Sequence, residues 1–377
     1  MQIEHLVLRD FRNYVLQEVE FAPGVNVLLG ENGQGKTNVL EAIYLLAVGK
    51  SHRTSRDVDL IRYGADQTQL TAVITHQERP SRLRLEFGKF GKKAHINGVL
   101  QSKMSDFVGR FQVVLFAPED LQLVKGGPAV RRRFIDIELG QTHARYLHHL
   151  SQYHRTLQQR NHLLKRPSLD LDSISAFDDP LVHHGTEVMV RRQRFISLLR
   201  EIAREIYTSI AEGREELDLH YQMAVATQVD GRSAEENPSW SADQLQAVFQ
   251  AQLEAKLGAD RQLGYTSVGP HRDDLVLYLD GRPVQAHASQ GQQRTIALSL
   301  RLAEIELIRR EVGEYPVLLL DDVLSELDDH RQRQLLLSMS DKVQTLVTST
   351  GLYQLGDRLE GRSRLFHVRS GIIQKEG

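Results

Sequence analysis

The stretch GENGQGKT at residues 30–37 sets Gly30, Gly33, Gly35, Lys36 and Thr37 at the spacing G-x4-G-K-[ST]. Glycines in such a loop let successive backbone N–H groups converge on a phosphate. A lysine at the sixth position after the first glycine can neutralise β- and γ-phosphates, and the threonine hydroxyl that follows can ligate Mg2+. Gly30, Glu31, Asn32, Gly33, Gln34, Gly35, Lys36, Thr37 and the adjoining Asn38 are therefore the candidate cradle for ATP, with Lys36 also a candidate catalytic group. Far along the chain, PVLLLDD at residues 316–322 drives two carboxylates, Asp321 and Asp322, to the end of an apolar run. In phosphate-loop proteins a carboxylate so placed holds the Mg2+ that the threonine touches, which makes Asp321 the metal ligand. Asp322 is then in reach of an attacking water as general base. The plainer alternatives are a glycine-rich turn before a helix and a strand that ends in a solvated acidic turn; each loses ground beside the other segment.

ASQGQQR at residues 288–294 has two readings. Ser289 with Gln292 three residues on is a capping-box pattern. The same geometry, with Gly291 beside it, exposes backbone N–H groups to an anion, such as the γ-phosphate of ATP held by a second molecule. A third kind of chemistry is suggested by charge. Between Lys125 and Arg166 there are nine Lys and Arg, among them Arg131, Arg132 and Arg133, against two acidic residues, in a chain whose formal charge is −2. Such a local excess suits contacts to DNA phosphates. A solvated helix face, or a surface for a partner protein, is the alternative. Arg53 and Arg56 form a second candidate DNA contact, set against internal salt bridges. No base-reading signature is present, so DNA binding would follow backbone and shape. His148 and His149 are adjacent rather than at metal-ligand spacing, and no metal role is read there.

These residues need elements to position them. VNVLLG (25–30) is a short, partly β-branched run that reads as a buried strand, and NVLEAIYLLAVG (38–49) as a helix stopped by Gly49. QLTAVITH, RLRLEFG and FQVVLFAP read as strands, and Asn97-Gly98 marks a hairpin. From Gly127 to about Leu257 helical patterns dominate, interrupted by the loops KRPSLDLDS and VDGRSAEENPSW. No sustained heptad runs through them, so a coiled-coil arm is not expected. From Gly264 strands return: a hairpin in DLVLYLDGRPV, strands at 317–320 and 345–350, and a terminal hairpin at 365–374. The simplest architecture is an α/β unit formed by residues 1–120 and 264–377, with a mainly helical insertion, residues 121–263.

Composition sets bounds. Hydrophobic residues make up 41% and charged residues 25%, the balance of a water-soluble globular protein. There are no cysteines, which rules out disulfides and thiolate metal sites and fits a reducing cytosol. The N-terminal MQIEHLVLRDFRN carries charge too often for a signal peptide, and no stretch is apolar enough to span a membrane. A cytoplasmic protein is expected.

The order of segments carries more. A phosphate loop, an S-Q-G-Q helix start, a buried strand ending in Asp-Asp, and SELD at 325–328 resemble the ABC-type ATPases, in particular their chromosome-maintenance and recombination branch. LRDFRNY, GENGQGKTNVLEAIYLLA, SHRTSRD, LFAPEDLQLVKGGPAVRRRFID, GPHRDDL, SQGQQR and LLLDDVLSELD are similar to the RecF family of bacterial recombinational repair proteins, over nearly the whole chain. The resemblance implies an ABC-type P-loop head with a mixed sheet, and a head-to-tail ATP sandwich in which residues 30–37 and Asp321 of one copy face Ser289 and Gly291 of another. It implies that Asp328 orders that interface and that Arg12 and Asn13 approach the adenosine side of ATP. It also implies weak ATPase activity used as a switch, gap repair on DNA, the partners RecR and RecO, and recruitment of RecA. Three positions depart from the wider ABC pattern. The usual catalytic Glu is Asp322, one methylene shorter, which points to slow hydrolysis. Residues 116–120 offer Pro, Glu and Asp where a water-positioning Gln is usual. Hydroxyls at 348–350 stand where a His is usual. A transporter ATPase subunit and a small-molecule kinase are the rival classes; the first lacks membrane-like sequence, and the second has no use for S-Q-G-Q or SELD.

Overall fold

The computed structural model describes residues 1–376 except 90, 167–170, 227–238, 327, 329–331, 333, 334, 336–342 and 352–362. The chain opens with a hairpin of β1 (Gln2–Phe11) and β2 (Tyr14–Glu20), followed by β3 (Val25–Leu29) and helix α1 (Lys36–Val48). Gly49 ends α1 in the left-handed region at φ 74°, where a residue without Cβ is least strained. A meander of β4 (Gln67–His76), β5 (Arg79–Gly88), β6 (Gly91–Ile96) and β7 (Val99–Leu100) follows, then α2 (Met104–Phe107) and β8 (Val113–Phe116). Asn97 and Gly98, both at positive φ, make the tight turn expected between β6 and β7. Next come α3 (Leu121–Lys125), α4 (Pro128–Thr142), α5 (Ala144–Leu164), α6 (Leu171–Ile210), β9 (Leu217–Gln222), α7 (Ala242–Leu263), β10 (Asp274–Leu279) and β11 (Arg282–Pro283). The chain closes with α8 (Val284–His287), α9 (Gln290–Val312), β12 (Val317–Leu320), β13 (Thr345–Ser349), β14 (Ser363–Arg369) and β15 (Ile372–Lys375).

Two compact units result: Met1–Asp120 with Leu300–Gly377, and Leu121–Ser299. The first holds two six-stranded sheets. One is antiparallel, in the order β2-β1-β4-β5-β6-β7; the other is mixed, in the order β15-β14-β3-β13-β12-β8. In the mixed sheet β14, β3, β13, β12 and β8 run parallel, and only β15 is antiparallel. Parallel strands are covered on both faces, so they read as unbroken apolar runs. That is why VLLL and VVLF are buried at every position. The carboxyl ends of β3 and β12 lead into Gly30 and Asp321, so one edge of this sheet collects the phosphate loop and the acidic pair.

The second unit is helical with one small sheet, β11-β10-β9. β9 was not anticipated amid helical patterns, although LDLHYQ alternates strictly, with Leu217, Leu219 and Tyr221 inward. Its pairing with β10 explains why the chain returns to the first unit at Leu300 and not at Gly264: the hairpin after Gly264 completes the insertion's own sheet. α6 is a 40-residue helix that passes through Pro180. Of the stretches 165–173 and 229–240, expected to be loops, residues 167–170 and 229–238 lie outside the described residues, and Leu171–Ser173 already belong to α6, which starts earlier than the loop reading allows. Among the described residues no helix is long and apolar enough to cross a membrane.

Two of the nine basic residues counted between Lys125 and Arg166 are structural. Arg160, 0% exposed, donates from Nε to Asp178 (2.7 Å) and from Nη1 to Asp260 (3.0 Å) and Thr266 (2.8 Å), which ties α5, α6 and α7 together. Arg131, 4% exposed, forks onto Asp274 at 2.8 and 2.7 Å and reaches the Gly126 carbonyl at 2.6 Å. Removing one partner of a buried pair leaves the other charge stranded, at a cost of about 3–5 kcal/mol. Arg160→Ala should therefore lower unfolding free energy by that amount in urea titration, and a loss under about 1 kcal/mol would contradict this account.

Candidate nucleotide site

The phosphate loop is shaped by its neighbours. Gly30 follows β3 so closely to Val368 that an added Cβ would lie 2.3 Å from that residue's carbonyl oxygen. Gly35, at φ +120°, would press a Cβ against the Tyr14 hydroxyl (2.7 Å) and the Asn13 amide (2.8 Å). Two turns strap the loop. From the β1–β2 tip, Asn13 Nδ2 donates to the Gln34 carbonyl (2.9 Å), and Tyr14 Oη donates to the Gly35 carbonyl (2.9 Å). Asn38 Nδ2 donates back to Asn13 Oδ1 at 2.8 Å. From the β14–β15 tip, the Gly371 N–H donates to the Gln34 carbonyl (3.1 Å) and the Ser370 N–H to Gln34 Oε1 (2.7 Å). Lys36, 4% exposed, donates from Nζ to the Gly30 (2.6 Å) and Glu31 (3.0 Å) carbonyls, while Glu31, Asn32 and Gly33 are exposed at the mouth. The first N–H groups of α1 have no partner within the helix and carry its positive end, which suits a phosphate.

Asp321 joins this loop from the end of β12. Thr37 Oγ1 donates to Asp321 Oδ1 at 2.8 Å, and Thr348 Oγ1, on β13, donates to the same oxygen at 2.9 Å. Burial pushes the Asp321 carboxyl above the usual range, against the two hydroxyl hydrogen bonds and the Arg53 charge, with the neighbouring Asp322 adding to the rise. A desolvated carboxylate beside a threonine hydroxyl is the hard oxygen donor set that suits Mg2+. Asp322 stands in the left-handed region at φ 52°, held by its own N–H donating to Thr348 Oγ1 at 2.9 Å. Non-glycine residues there are strained by about 1–3 kcal/mol, so the conformation is imposed by its surroundings. Thr348 thus touches both carboxylate residues. At residues 116–120, Asp120 accepts from the Ala117 N–H (3.0 Å) and from Arg301 of α9 (2.7 Å), so its carboxylate is taken up by the segment's own backbone and by that arginine.

The structure also brings in Glu41, which no pattern singled out. It is fully buried on α1 and accepts from Arg12 Nε (2.8 Å) and Nη2 (2.7 Å), Ser51 Oγ (2.5 Å) and Arg53 Nη1 (3.4 Å). Burial pushes its carboxyl up, but the hydrogen bonds from Arg12 and Ser51 and the charges of Arg12 and Arg53 outweigh it and hold it below the usual range. A lone acid inside the apolar run NVLEAIYLLAV was the available signal. Arg12, expected against adenosine, spends all three nitrogens on Glu41 and the Asp59 carbonyl. Arg53 donates to Asn38 Oδ1 at 2.8 Å and its charge reaches Asp321, so it belongs beside the phosphate loop. Arg56 is 73% exposed and lies 3.7 Å from Asp59.

Ser289 caps α9. Its N–H donates to Gln292 Oε1 (2.6 Å) and the Gln292 N–H to Ser289 Oγ (3.3 Å), the reciprocal pair of a capping box. Ser289 and Gly291 are exposed, and Gln292 is anchored through Nε2 to Glu215 at 2.6 Å. Asp328 is exposed; the Ser325 side chain and Asp329 lie outside the described residues. Among the arginines expected on DNA, Arg131 is removed by its burial on Asp274. Arg132 is half-buried and donates to the Asp273 carbonyl at 2.6 Å, and Arg133 is exposed.

A parallel-centred sheet with a strapped phosphate loop after one strand, and a buried carboxylate on that loop's threonine after another, defines an ABC-type P-loop ATPase of the SMC kind. Residues 2–374 match the RecF/RecN/SMC N-terminal domain. The chain is 46% identical over 380 residues to the DNA replication and repair protein RecF of Halalkalibacterium halodurans, covering 100% of both. It is 44% identical over 379 residues to RecF of Bacillus subtilis, again covering 100% of both. The chain belongs to the RecF family of DNA replication and repair proteins. Its structure matches a solved recombination mediator RecF–ATP of the RecFOR pathway with a TM-score of 0.90 at 30% identity, over 100% of this chain and 97% of that one. An SMC head bound to the C-winged helix domain of ScpA, at TM-score 0.55 and 15% identity over 100% of this chain and 98% of that one, shares the fold.

Because burial favours the protonated Asp321, the folded protein without nucleotide carries a cost that appears as pH rises through and above the ordinary Asp range. Asp321→Asn should raise the Tm of the nucleotide-free protein at neutral pH. The gain should vanish in acid, where the wild-type carboxyl is protonated in both folded and unfolded states. A gain that persisted or grew in acid would show that desolvation is not its source.

Proposed function

We propose that this chain is an ATP-switched DNA-binding protein of recombinational gap repair and replication-fork maintenance, with weak ATPase activity. One observation carries the reading: the hydrogen bond of 2.8 Å that sets the Thr37 hydroxyl on the Asp321 carboxylate, beside the strapped phosphate loop. ATP would lie with its phosphates on residues 30–37 and the start of α1. Lys36 would exchange its loop carbonyls for β- and γ-phosphate oxygens. Thr37 and Asp321 would hold Mg2+, which when bound neutralises charge that develops on the phosphates. Asp322 would accept the proton of the attacking water, its backbone fixed by Thr348. An aspartate reaches less far than a glutamate, which supports slow turnover.

The exposed helix start at Ser289 and Gly291, with Gln292 behind, would grip the γ-phosphate of ATP held by a second copy, with Asp328 ordering that junction. A nucleotide that binds only the bridged state stabilises it by linkage, so ATP acts as a switch for a homodimer closed on DNA, and hydrolysis opens it. Arg56, Arg132 and Arg133 are the arginines retained as DNA phosphate contacts. Arg53, held at Asn38, is assigned to the nucleotide side. The solved relatives' place in the RecFOR pathway supports RecR and RecO as partners. Loading of RecA on gapped DNA as the outcome, and the cytoplasm as the place, belong to the same proposal.

Light scattering with and without Mg-ATP tests this directly. Wild type should dimerise only with Mg-ATP, Lys36→Met should stay monomeric, and Asp322→Asn should dimerise but lose kcat by about 100-fold or more. Rapid wild-type hydrolysis without dimerisation would refute the switch. DNA affinity in the Mg-ATP state should fall steeply with salt, log K declining by about 0.9 per phosphate contacted for each unit of log salt on duplex DNA. Salt-independent affinity would overturn the phosphate-contact assignment.

A further inference from the structure

The helical unit holds a cluster that has no part in the nucleotide chemistry. His148 and His149 lie on α5, and His183 and His184 lie on α6. Neighbouring positions on one helix point about 100° apart, so neither pair alone forms a ligand set. The two helices run antiparallel side by side, pinned by Arg160–Asp178 at one level and brought together again at His149 and His184. Ligand atoms of His149, His183 and His184 all lie within 4.8 Å of one another. His149 Nδ1 and His184 Nδ1 face each other at 3.0 Å. Two ring nitrogens at that distance repel unless a proton or a cation lies between them. His148 packs against His149 and His184, with ring centroids 5.4 and 6.1 Å away.

We propose that His149, His183 and His184 form a binding site for a divalent transition-metal ion of the zinc type, which clasps α5 to α6. The donor set selects the ion. Three imidazoles suit zinc, cobalt, nickel or copper, whereas Mg2+ prefers oxygen and keeps its water. Donors bonded to zinc at about 2.1 Å in a tetrahedral shell sit about 3.4 Å apart. The His149–His184 pair, at 3.0 Å, is slightly closer than that and needs only a small parting, and rotation of the exposed His183 ring closes the third. On the other side of the ring, His149 Nε2 lies 3.9 Å from Glu187 Oε2, an ion-pair distance and longer than a hydrogen bond, and Glu187 is paired with Arg191 one turn on. A shift of about 1 Å would let that carboxylate accept from the ring N–H and set its tautomer, as at many zinc sites. The exposed His183 leaves a fourth position open to water or to His148.

The site revises the sequence reading of His148–His149 for a specific reason: the two halves are 34 residues apart and meet only through the α5–α6 pairing. Sequence spacing within one helix could not show it.

Equilibrium dialysis of Zn2+ against untagged, chelator-treated full-length protein, without nucleotide and with millimolar Mg2+ present, measures the site. One equivalent should bind, with an upward shift in Tm, and Co2+ in its place should give visible ligand-field absorption of a nitrogen-ligated ion. His183→Ala, an exposed position that does not endanger the fold, should weaken binding by about 100-fold and abolish the cobalt spectrum. Glu187→Gln should weaken binding by about 10-fold. His367→Ala, in the other unit, should change nothing. Absence of a stoichiometric ion overturns the proposal, as does an ion that survives in His183→Ala and in His149→Ala with His184→Ala. So does one that Asp321→Asn removes, since it then belongs to the phosphate loop.

Discussion

A carboxylate buried at the end of a parallel strand must be answered by donors, and Asp321 is answered by two hydroxyls from different places in the chain. Thr37 comes from the first turn of α1, and Thr348 from near the carboxyl end of β13. Both can reach the same oxygen because β12, β13 and β3 lie side by side in fixed register, with Leu320 opposite Val347 and Leu29 opposite Ser349. A slip of one residue in β12 would turn Asp321 to the other face of the sheet and leave both hydroxyls without it. The apolar packing of β3, β8, β12 and β13 therefore does more than stabilise a core. It sets the distance between a threonine at position 37 and an aspartate at position 321 to within a hydrogen bond.

The same logic extends outward from that contact. The phosphate loop is held from both sides by reverse turns, Arg12–Asn13 and Ser370–Gly371, which lie at opposite ends of the chain. Their hydrogen bonds fix Gln34 and Gly35, so the loop's shape does not depend on glycine flexibility alone. Behind α1, the buried Glu41 collects Arg12 and Arg53. A buried carboxylate with several donors is costly to disrupt, and that cost fixes two arginines along the helix that starts at Lys36. Backbone strain at Asp322 belongs to the same set of constraints: Thr348 holds the N–H of a residue whose φ is otherwise unfavourable.

Much of this was legible in the sequence. The phosphate loop, the buried strand before it, the Asp-Asp pair and the capping box at Ser289 depend on local rules: glycine where positive φ or close approach is needed, apolar runs where both faces are covered, Ser and Gln at a helix start. The strand β9 was also available in the alternation of LDLHYQ, but a helical context on both sides hid a six-residue signal. Net charge misled at Arg131 and Arg160, because a count along the chain does not know which cations face inward. Arg131 neutralises Asp274, and Arg160 neutralises Asp178 and Asp260; neither adds to a surface field.

What the sequence by itself determined is the chemistry available: a loop that can cradle phosphates, hydroxyl and carboxylate donors for a hard cation, and a capped, exposed helix start. Those are properties of residue type and short spacing, and short spacing is what local backbone geometry converts into structure. What only the tertiary structure decided is which distant groups share one site. Glu41 between Arg12 and Arg53, Thr348 across Asp321 and Asp322, the two straps on Gln34, and the imidazoles of α5 and α6 are pairings over 12 to more than 300 residues. Nothing in local sequence specifies such pairings, because they follow from strand register and helix packing, which the whole apolar core sets at once.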